Sequence, residues 1–221
     1  MSLRTRFDRQ LATLNDLLVE MGGLVERAIA DANRALIERD AALAKQAIAM
    51  DDDIDRMEKA IEKQCLKIIM QQQPVAGDLR LVSSVLKITT DLERIGDHAA
   101  DISEITARIS EKPYVEKPED YFPPMAAATA KMVTESIAAF VQKDLDLARG
   151  VIACDAAVNE LFKKVKKALV ELIRQNAENS DQAIDLIMIA KYFERIGDHA
   201  KNIAEWVIFS LTGMHKDTQV M

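Results

Sequence analysis

The stretch ERIGDHA at Glu93–Ala99 returns unchanged at Glu194–Ala200. An identical run of this length is far beyond chance in a chain of 221 residues. The match extends outward, aligning Ile88 with Ile189, Ile102 with Ile203 and Glu104 with Glu205. The chain is therefore an internal duplication, and its fold is to be read as two copies of one unit. The repeated run is acidic at helical spacing: Glu93, Asp97 and Asp101 follow one another at four-residue steps and share a stripe of one helix.

Around the repeat the chain is rich in helix formers. Apolar residues make up 49% of it, with only seven glycines and five prolines, so an all-α fold is expected. The formal charge of −7 argues against nucleic acid and anionic lipid as general partners, because both call for a cationic footprint. The opening MSLRTRFDRQ lacks the apolar core of a secretion signal, and no apolar run reaches membrane-spanning length. Cys65 and Cys154 fall on apolar positions of helical patterns and read as small core residues. The expectation is a soluble, cytoplasmic protein without membrane insertion.

Prolines divide the chain. Four of them fall in EKPYVEKPEDYFPP, Glu111 to Pro124, and the fifth, Pro74, marks a helix–helix turn beside Gly77. The matching turn in the second half is Gln175 to Asp181, where Ser180 is placed as an N-cap. Six helices follow: Thr5–Glu38, Asp40–Gln73 and Asp78–Ser110, then Pro124–Lys143, Asp144–Asn176 and Asp181–Leu211. Leu81, Val85, Ile88, Leu92, Ile95, Ala99 and Ile102 alternate steps of four and three, the period of a packed helical seam. Such a seam buries one face, so three antiparallel helices closing on a shared core are expected in each half. The predicted architecture is two tandem three-helix bundles: residues 1–112, a proline-rich linker at 113–123, residues 124–212, and a polar tail at 213–221.

The second helices also align, which sets Asp51 on Asp155 and Asp55 on Asn159. Folding the second and third helices back about residue 75 brings Asp51 and Asp55 opposite Glu93 and Asp97. The same operation near residue 177 sets Asp155 against Asp198 and Asn159 against Glu194. Two interhelical acidic clusters are thus predicted. A carboxylate pair at ~4 Å costs about 1 kcal/mol in water and about 4 kcal/mol at an effective dielectric near 20. A bound cation, Arg94 and Arg195, or proton sharing with raised pKa values can offset that, and the residues alone leave these readings open. All-oxygen ligation suits hard cations such as Mg, Ca, Mn or oxidised iron. The Glu-x-x-His motif of di-iron bundles is absent, and His98 and His199 point away from the acidic stripe. The candidate ligands are Asp51, Asp55, Glu93, Asp97 and Asp101 in the first cluster, and Asp155, Asn159, Glu194, Asp198 and Asn202 in the weaker second one.

Gly96 and Gly197 sit mid-helix at about 1 kcal/mol each relative to Ala, and their repeated placement points to close packing. Lys163, Lys164, Lys166 and Lys167 form a basic stretch that reads as a solvated face. Trp206 is expected at a core edge. No phosphate-cradling glycine loop, nucleophile elbow or zinc spacing occurs, so no catalytic nucleophile is proposed.

With QQPVAGDLR at Gln72–Arg80, TTDLERIGDHAADI at Thr89–Ile102, YFERIGDHAKNIAE at Tyr192–Glu205 and the twofold repeat of three helices, the chain resembles the PhoU family of phosphate uptake regulators. The resemblance covers nearly the whole sequence. It implies a homodimeric bacterial regulator that couples the ATPase of a phosphate ABC importer to a phosphate-sensing histidine kinase. Such a protein represses the phosphate-starvation response and restrains uptake without being an enzyme. It further implies metal bound by E(D)xxxD motifs, matched in full by Asp51/Asp55, Glu93/Asp97 and Glu194/Asp198 and in half by Asp155/Asn159. The metal is not specified among iron, Mn, Mg, Ca and Zn. Two other readings stand beside this one, a carboxylate-bridged metalloenzyme and a purely structural helical scaffold.

Overall fold

The computed structural model describes residues 3–111, 120–216 and 218–219. It is all-α apart from one short hairpin. In chain order the helices are α1 (Leu3–Glu38), α2 (Ala41–Ala49), α3 (Asp51–Gln72), α4 (Ala76–Ile109), α5 (Phe122–Gln142), α6 (Leu145–Gln175) and α7 (Ser180–Thr212). Strands β1 (Met214–His215) and β2 (Thr218–Gln219) pair antiparallel after α7, within the expected polar tail. Asp217, Val220 and Met221 of that tail, the opening Met1 and Ser2, Lys112 at the end of the first bundle's expected span and residues 113–119 of the proline-rich linker lie outside the described residues.

Each half is a three-helix bundle. In the first, α1, α3 and α4 pack together, with α2 lying on α1 and α4; in the second, α5, α6 and α7 do the same. The bundles join along two edges, α4 on α7 and α1 on α5, and the α4–α7 contact is the most extensive in the molecule. One apolar core therefore runs through both halves, from Leu14, Ile54 and Leu92 to Val158 and Phe193. Arg108 and Asp185 span the α4–α7 edge at 2.6 Å, and the Thr134 hydroxyl donates to Glu26 across the α1–α5 edge.

The duplication extends to turn geometry. Arg39 and Lys143 both take left-handed backbone angles, φ 55° and 56°. Each precedes an aspartate, Asp40 or Asp144, whose side chain accepts from the two N–H groups that open the next helix. An acceptor there satisfies donors the helix cannot satisfy itself. Pro123 and Pro124 sit in the first turn of α5, where a missing N–H is harmless.

Two local expectations are corrected. The second helix is not continuous over Asp40–Gln73: it tightens at Met50, whose N–H bonds Ala47 O and whose carbonyl accepts from Asp53 N, both three residues away. α6 runs unbroken through the equivalent Cys154. Ser180 is the first residue of α7 and makes no N-cap bond; the Asn176 side chain instead accepts from Glu178 N and opens a 3₁₀ turn at Ala177–Asn179. Neither position carries the Gly or Pro that announces a break in sequence.

The repeated glycines do mark close packing. A Cβ at Gly96 would lie 2.8 Å from Ile54 Cδ1, and one at Gly197 would lie 3.3 Å from Val158 Cγ1. Residue 54 opposite residue 96 is also the register that folding back about residue 75 requires. Both cysteines are free; burial pushes the Cys65 thiol up to about 12.

Candidate metal centre

The third helix of each half carries its seam residues inward and its acids toward the neighbouring second helix. Leu92, Ile95 and Ala99 are fully buried, which leaves Glu93 and Asp97 in the groove between α4 and α3. From α3, Asp51, Asp55 and Glu58 reach the same groove, since they recur at helical spacing beside the buried Ile54 and Ile61. One carboxylate oxygen each from Asp55, Glu58 and Glu93 lies within 4.8 Å of the other two. Oxygens bound to one hard cation at about 2.1–2.6 Å stand up to roughly 4–5 Å apart, so this spacing is compatible with a shared ion.

The electrostatics of this groove are those of under-compensated negative charge. Burial and the neighbouring Asp97 raise the Glu93 carboxyl to about 7, with Arg94 opposing and Glu58 and Asp55 adding to the rise. Burial, then Asp97 and Asp55, also raise Asp51, whose Oδ1 is buried without a hydrogen-bond partner among the described residues. Glu58 is raised by burial, Glu62 and Asp55. The counter-charges present are exposed and local. Arg94 bonds Asp97 at 2.7 Å and Lys59 bonds Asp55 at 3.1 Å, each along its own helix. Such pairs contribute at most about 1 kcal/mol apiece. The N-terminus of α3, created by the tightened turn at Met50, adds some positive potential beneath Asp51, Asp52 and Asp53. The first groove fits a hard cation in donor type, spacing and unspent acceptor capacity.

The second groove is built on the same plan and closed differently. Asp155, Glu194 and Asp198 occupy the places of Asp51, Glu93 and Asp97. Asp155 accepts from Asn159 Nδ2 at 3.1 Å and from Lys201 at 3.3 Å, while Lys191 pairs with Glu194. Burial, Glu194 and Asp155 raise Asp198, with Lys191 and Arg195 opposing. The position of Glu58 is taken by Phe162, whose ring centroid lies 5.4 Å from the Lys191 ammonium. With two ammonium groups in it and two acids fewer, Asn159 and Phe162 standing for Asp55 and Glu58, this groove does not fit a cation as it stands.

Two of the sequence candidates, Asn202 and Asp101, face elsewhere in whole or part. Asn202 donates to Asp91 across the α4–α7 edge at 3.3 Å, outside the second cluster. His199 meets the same Asp91 at 2.8 Å, which places it on that edge and not among the acids. Asp101 meets His98 Nδ1 at 3.2 Å, yet still acts on Asp51 through its charge. The two imidazoles face each other across the edge with centroids 5.5 Å apart, and burial lowers the pKa of His98. Glu58, Lys191, Lys201 and Asp91 are groove and edge residues that a search for identical repeats passes over. Glu58 is nevertheless reachable, because the fold-back register sets it beside Glu93. Trp206, half-buried, stacks on His215 of the C-terminal hairpin with centroids 4.0 Å apart. The lysine stretch pairs in part locally, Lys163 with Glu160 at 2.7 Å. Among the described residues no helix is long and apolar enough to cross a membrane.

Known proteins resemble this chain in sequence and fold. The PhoU domain family model matches residues 18–106 and again 122–207, one copy in each bundle. The phosphate-specific transport system accessory protein PhoU homolog of Pseudomonas aeruginosa is 37% identical over 210 residues, 94% of this chain and 86% of that one. The homolog of Clostridium acetobutylicum is 34% identical over 97% of this chain and 98% of its own. The crystal structure of PhoU from Pseudomonas aeruginosa superposes with a TM-score of 0.90 at 36% identity, covering 94% of this chain and all of that one. That of the phosphate transport system regulatory protein PhoU from Streptococcus pneumoniae gives 0.88 at 26% identity, over 96% of this chain. Duplicated sequence, paired bundles and doubled family match agree, and the chain belongs to the PhoU family.

Proposed function

We propose that this protein regulates phosphate uptake and the phosphate-starvation response as a non-enzymatic adaptor. Its partners in this reading are the ATPase subunit of a phosphate ABC importer and a phosphate-sensing histidine kinase. It works in the cytoplasm as a homodimer, reaching the inner membrane face through those partners. The observation that carries the reading is its extent of likeness to phosphate-specific transport system accessory proteins, end to end and in both bundles. The site chemistry supports it: His98 and His199 are engaged with Asp101 and Asp91 at the bundle–bundle edge, so the acidic groove holds oxygen donors alone. A groove of that kind holds a cation without supplying the nitrogen ligands of a carboxylate-bridged enzyme.

In this reading a hard cation sits at the first cluster, on Asp55, Glu58 and Glu93 with Asp51 and Asp97 beside them. Its role is to bias the contact surface. Phosphate is an anion, and an uncompensated carboxylate groove repels it, so direct phosphate sensing at this groove needs the cation first.

The test is complementation in a bacterium lacking its own PhoU, with a phosphate-starvation reporter measured at high phosphate. Restored repression, together with co-purification of the importer ATPase or the kinase, is the expected result. A folded, expressed protein that neither represses nor binds either partner overturns the assignment. The cation is checked separately by metal analysis of the wild type against E58Q/E93Q, which loses it.

A further inference from the structure

We infer that the outward face of α3 is a docking surface for an acidic amphipathic helix of a partner protein, gripped by Lys63 and Lys67 around the apolar pair Leu66 and Met70. The inference deepens the adaptor reading and rests on it for the partner's identity, but not for the surface.

The pattern of α3 turns these side chains to solvent. Its buried residues, Ile54, Ile61, Cys65 and Ile68, face the bundle formed with α1 and α4. The opposite stripe carries Lys59, Lys63 and Lys67 at four-residue steps, with Leu66 and Met70 beside them, also four apart. Leu66 is 56% exposed and Met70 78%. Single apolar side chains in water are ordinary, but two neighbours on one face make a patch that calls for a partner. With Glu62 and Gln71 these residues line a shallow cleft of about 580 Å³ between the long side chains. Lys59 pairs with Asp55, whereas Lys63 and Lys67 pair with no carboxylate among the described residues. In a chain of net charge −7, lysines without a local partner around an apolar pair are complementary to carboxylates from another molecule.

The second half shows the same face without its anchors. A cleft of about 560 Å³ recurs on α6, lined by Lys163, Lys166, Lys167, Val170, Glu171 and Arg174. Half-buried Val170 stands there in the place of Leu66, and Arg174, in the place of Met70, meets Glu171 at 3.5 Å. The α6 stripe is thus basic without an exposed apolar pair, as a solvated face is. Charge alone draws a partner in, but apolar anchors hold it.

Dimensions and charge select the occupant. From Lys59 to Met70 the stripe is roughly 17 Å long, three turns of helix. A partner helix of that length sets apolar residues four apart against Leu66 and Met70, and its acids against the flanking lysines. A second copy of this chain is a poor occupant, because an isologous contact sets the lysine stripe against itself. A broad anionic membrane is a poor one too. Asp51, Asp52, Asp53 and Asp55 stand on the same helix, ending one turn before Lys59, and repel it. A contact of this size belongs with transient signalling encounters.

The surface is tested with a labelled synthetic amphipathic helix of leucine, alanine and glutamate, its anisotropy read on full-length protein. Wild type, K63E/K67E, L66N/M70N and the α6 control K163E/K167E are compared, each checked by a thermal melt. The expected result is saturable binding that either α3 variant weakens by roughly tenfold or more and the α6 control leaves nearly unchanged. A helix with lysine in place of glutamate should bind K63E/K67E instead. The same proteins are then offered the importer ATPase subunit and the cytoplasmic part of the histidine kinase. At least one of these partners is expected to lose the α3 variants and keep the α6 control.

No saturable binding of the synthetic helix to wild type overturns the inference. Equal weakening by K163E/K167E does so as well, since the attraction is then general charge. Binding to phosphatidylglycerol vesicles that K63E/K67E abolishes makes the face a lipid surface and also overturns it. Partners bound equally by wild type and both α3 variants overturn it while leaving the adaptor reading intact. A wild type that takes the synthetic helix on α3 yet binds neither partner defeats the adaptor reading and leaves the docking surface standing.

Discussion

The two acidic grooves descend from one sequence and have solved the same electrostatic problem in different ways. In the α3–α4 groove the carboxylates are compensated from outside, by exposed side chains on their own helices, and Glu93 retains a proton up to about neutral pH. In the α6–α7 groove the compensating ammonium groups are half-buried; Lys191 pairs along its own helix with Glu194, and Lys201 crosses between helices onto Asp155. The first arrangement leaves the charge available to a ligand; the second makes it part of the fold. The grooves differ at Asp55/Asn159, Glu58/Phe162, Thr90/Lys191 and Ala100/Lys201, and in the turn at Met50 that α6 lacks. Motif identity alone therefore says little about occupancy, since ERIGDHA is the same in both.

The largest difference is expected in stability. Lys201→Met leaves a buried carboxylate facing only Asn159, and should cost about 2 kcal/mol, between the values for exposed and buried pairs. Lys59→Met, on the exposed Asp55 pair, should stay within about 0.5 kcal/mol. Urea melts of the two variants measure this directly, and similar costs would erase the contrast drawn between the grooves.

A smaller effect is expected at the glycines. Gly96→Ala sets its methyl 2.8 Å from Ile54 Cδ1, whereas Gly197→Ala meets Val158 at 3.3 Å. Both gain about 1 kcal/mol of helix propensity. The first should still be destabilised by about 1 kcal/mol through overpacking, and the second should come out near neutral. Equal changes in the denaturation midpoint would mean that the two interhelical contacts are equally tight.

A further effect is in pH dependence, and its sign is fixed. A carboxyl whose folded pKa lies above its unfolded value contributes stability below about pH 4.5 that is lost as pH rises through about 7. With chelator present, the Tm of the wild type should therefore fall between those limits, through Glu93 first and Asp51 in the same sense. Glu93→Gln should flatten the fall more than Asp198→Asn does. A slope untouched by Glu93→Gln would remove Glu93 as its source.

Much of this architecture is legible in the sequence itself. The duplication, the helical class and the groove positions follow from repeat spacing plus the geometry of a hairpin. The features that are not legible there are hidden for identifiable reasons. Comparing the halves for identity hides Glu58, Lys191 and Lys201, because the information lies in their non-identity with Phe162, Thr90 and Ala100. Asp91, His199 and Asn202 meet across an edge between helices distant in sequence, and intrabundle periodicity carries no signal for such docking. The tightening at Met50 falls on an ordinary helix former, so that position carries no Gly or Pro signal for it.

The continuity of the apolar core across the α4–α7 edge has a consequence for what the duplication now is. Leu92, Ile95, Ile189 and Phe193 belong to one buried cluster, so neither half encloses a complete interior without the other. In thermodynamic terms the halves stand to each other as the subunits of an obligate dimer that happens to be joined by a peptide. Expressed as two separate chains cut within residues 112–119, each should be poorly folded alone, and the pair should reassemble by complementation. Selection for the integrity of that shared interior then constrains both copies together, while leaving the groove rims free to diverge.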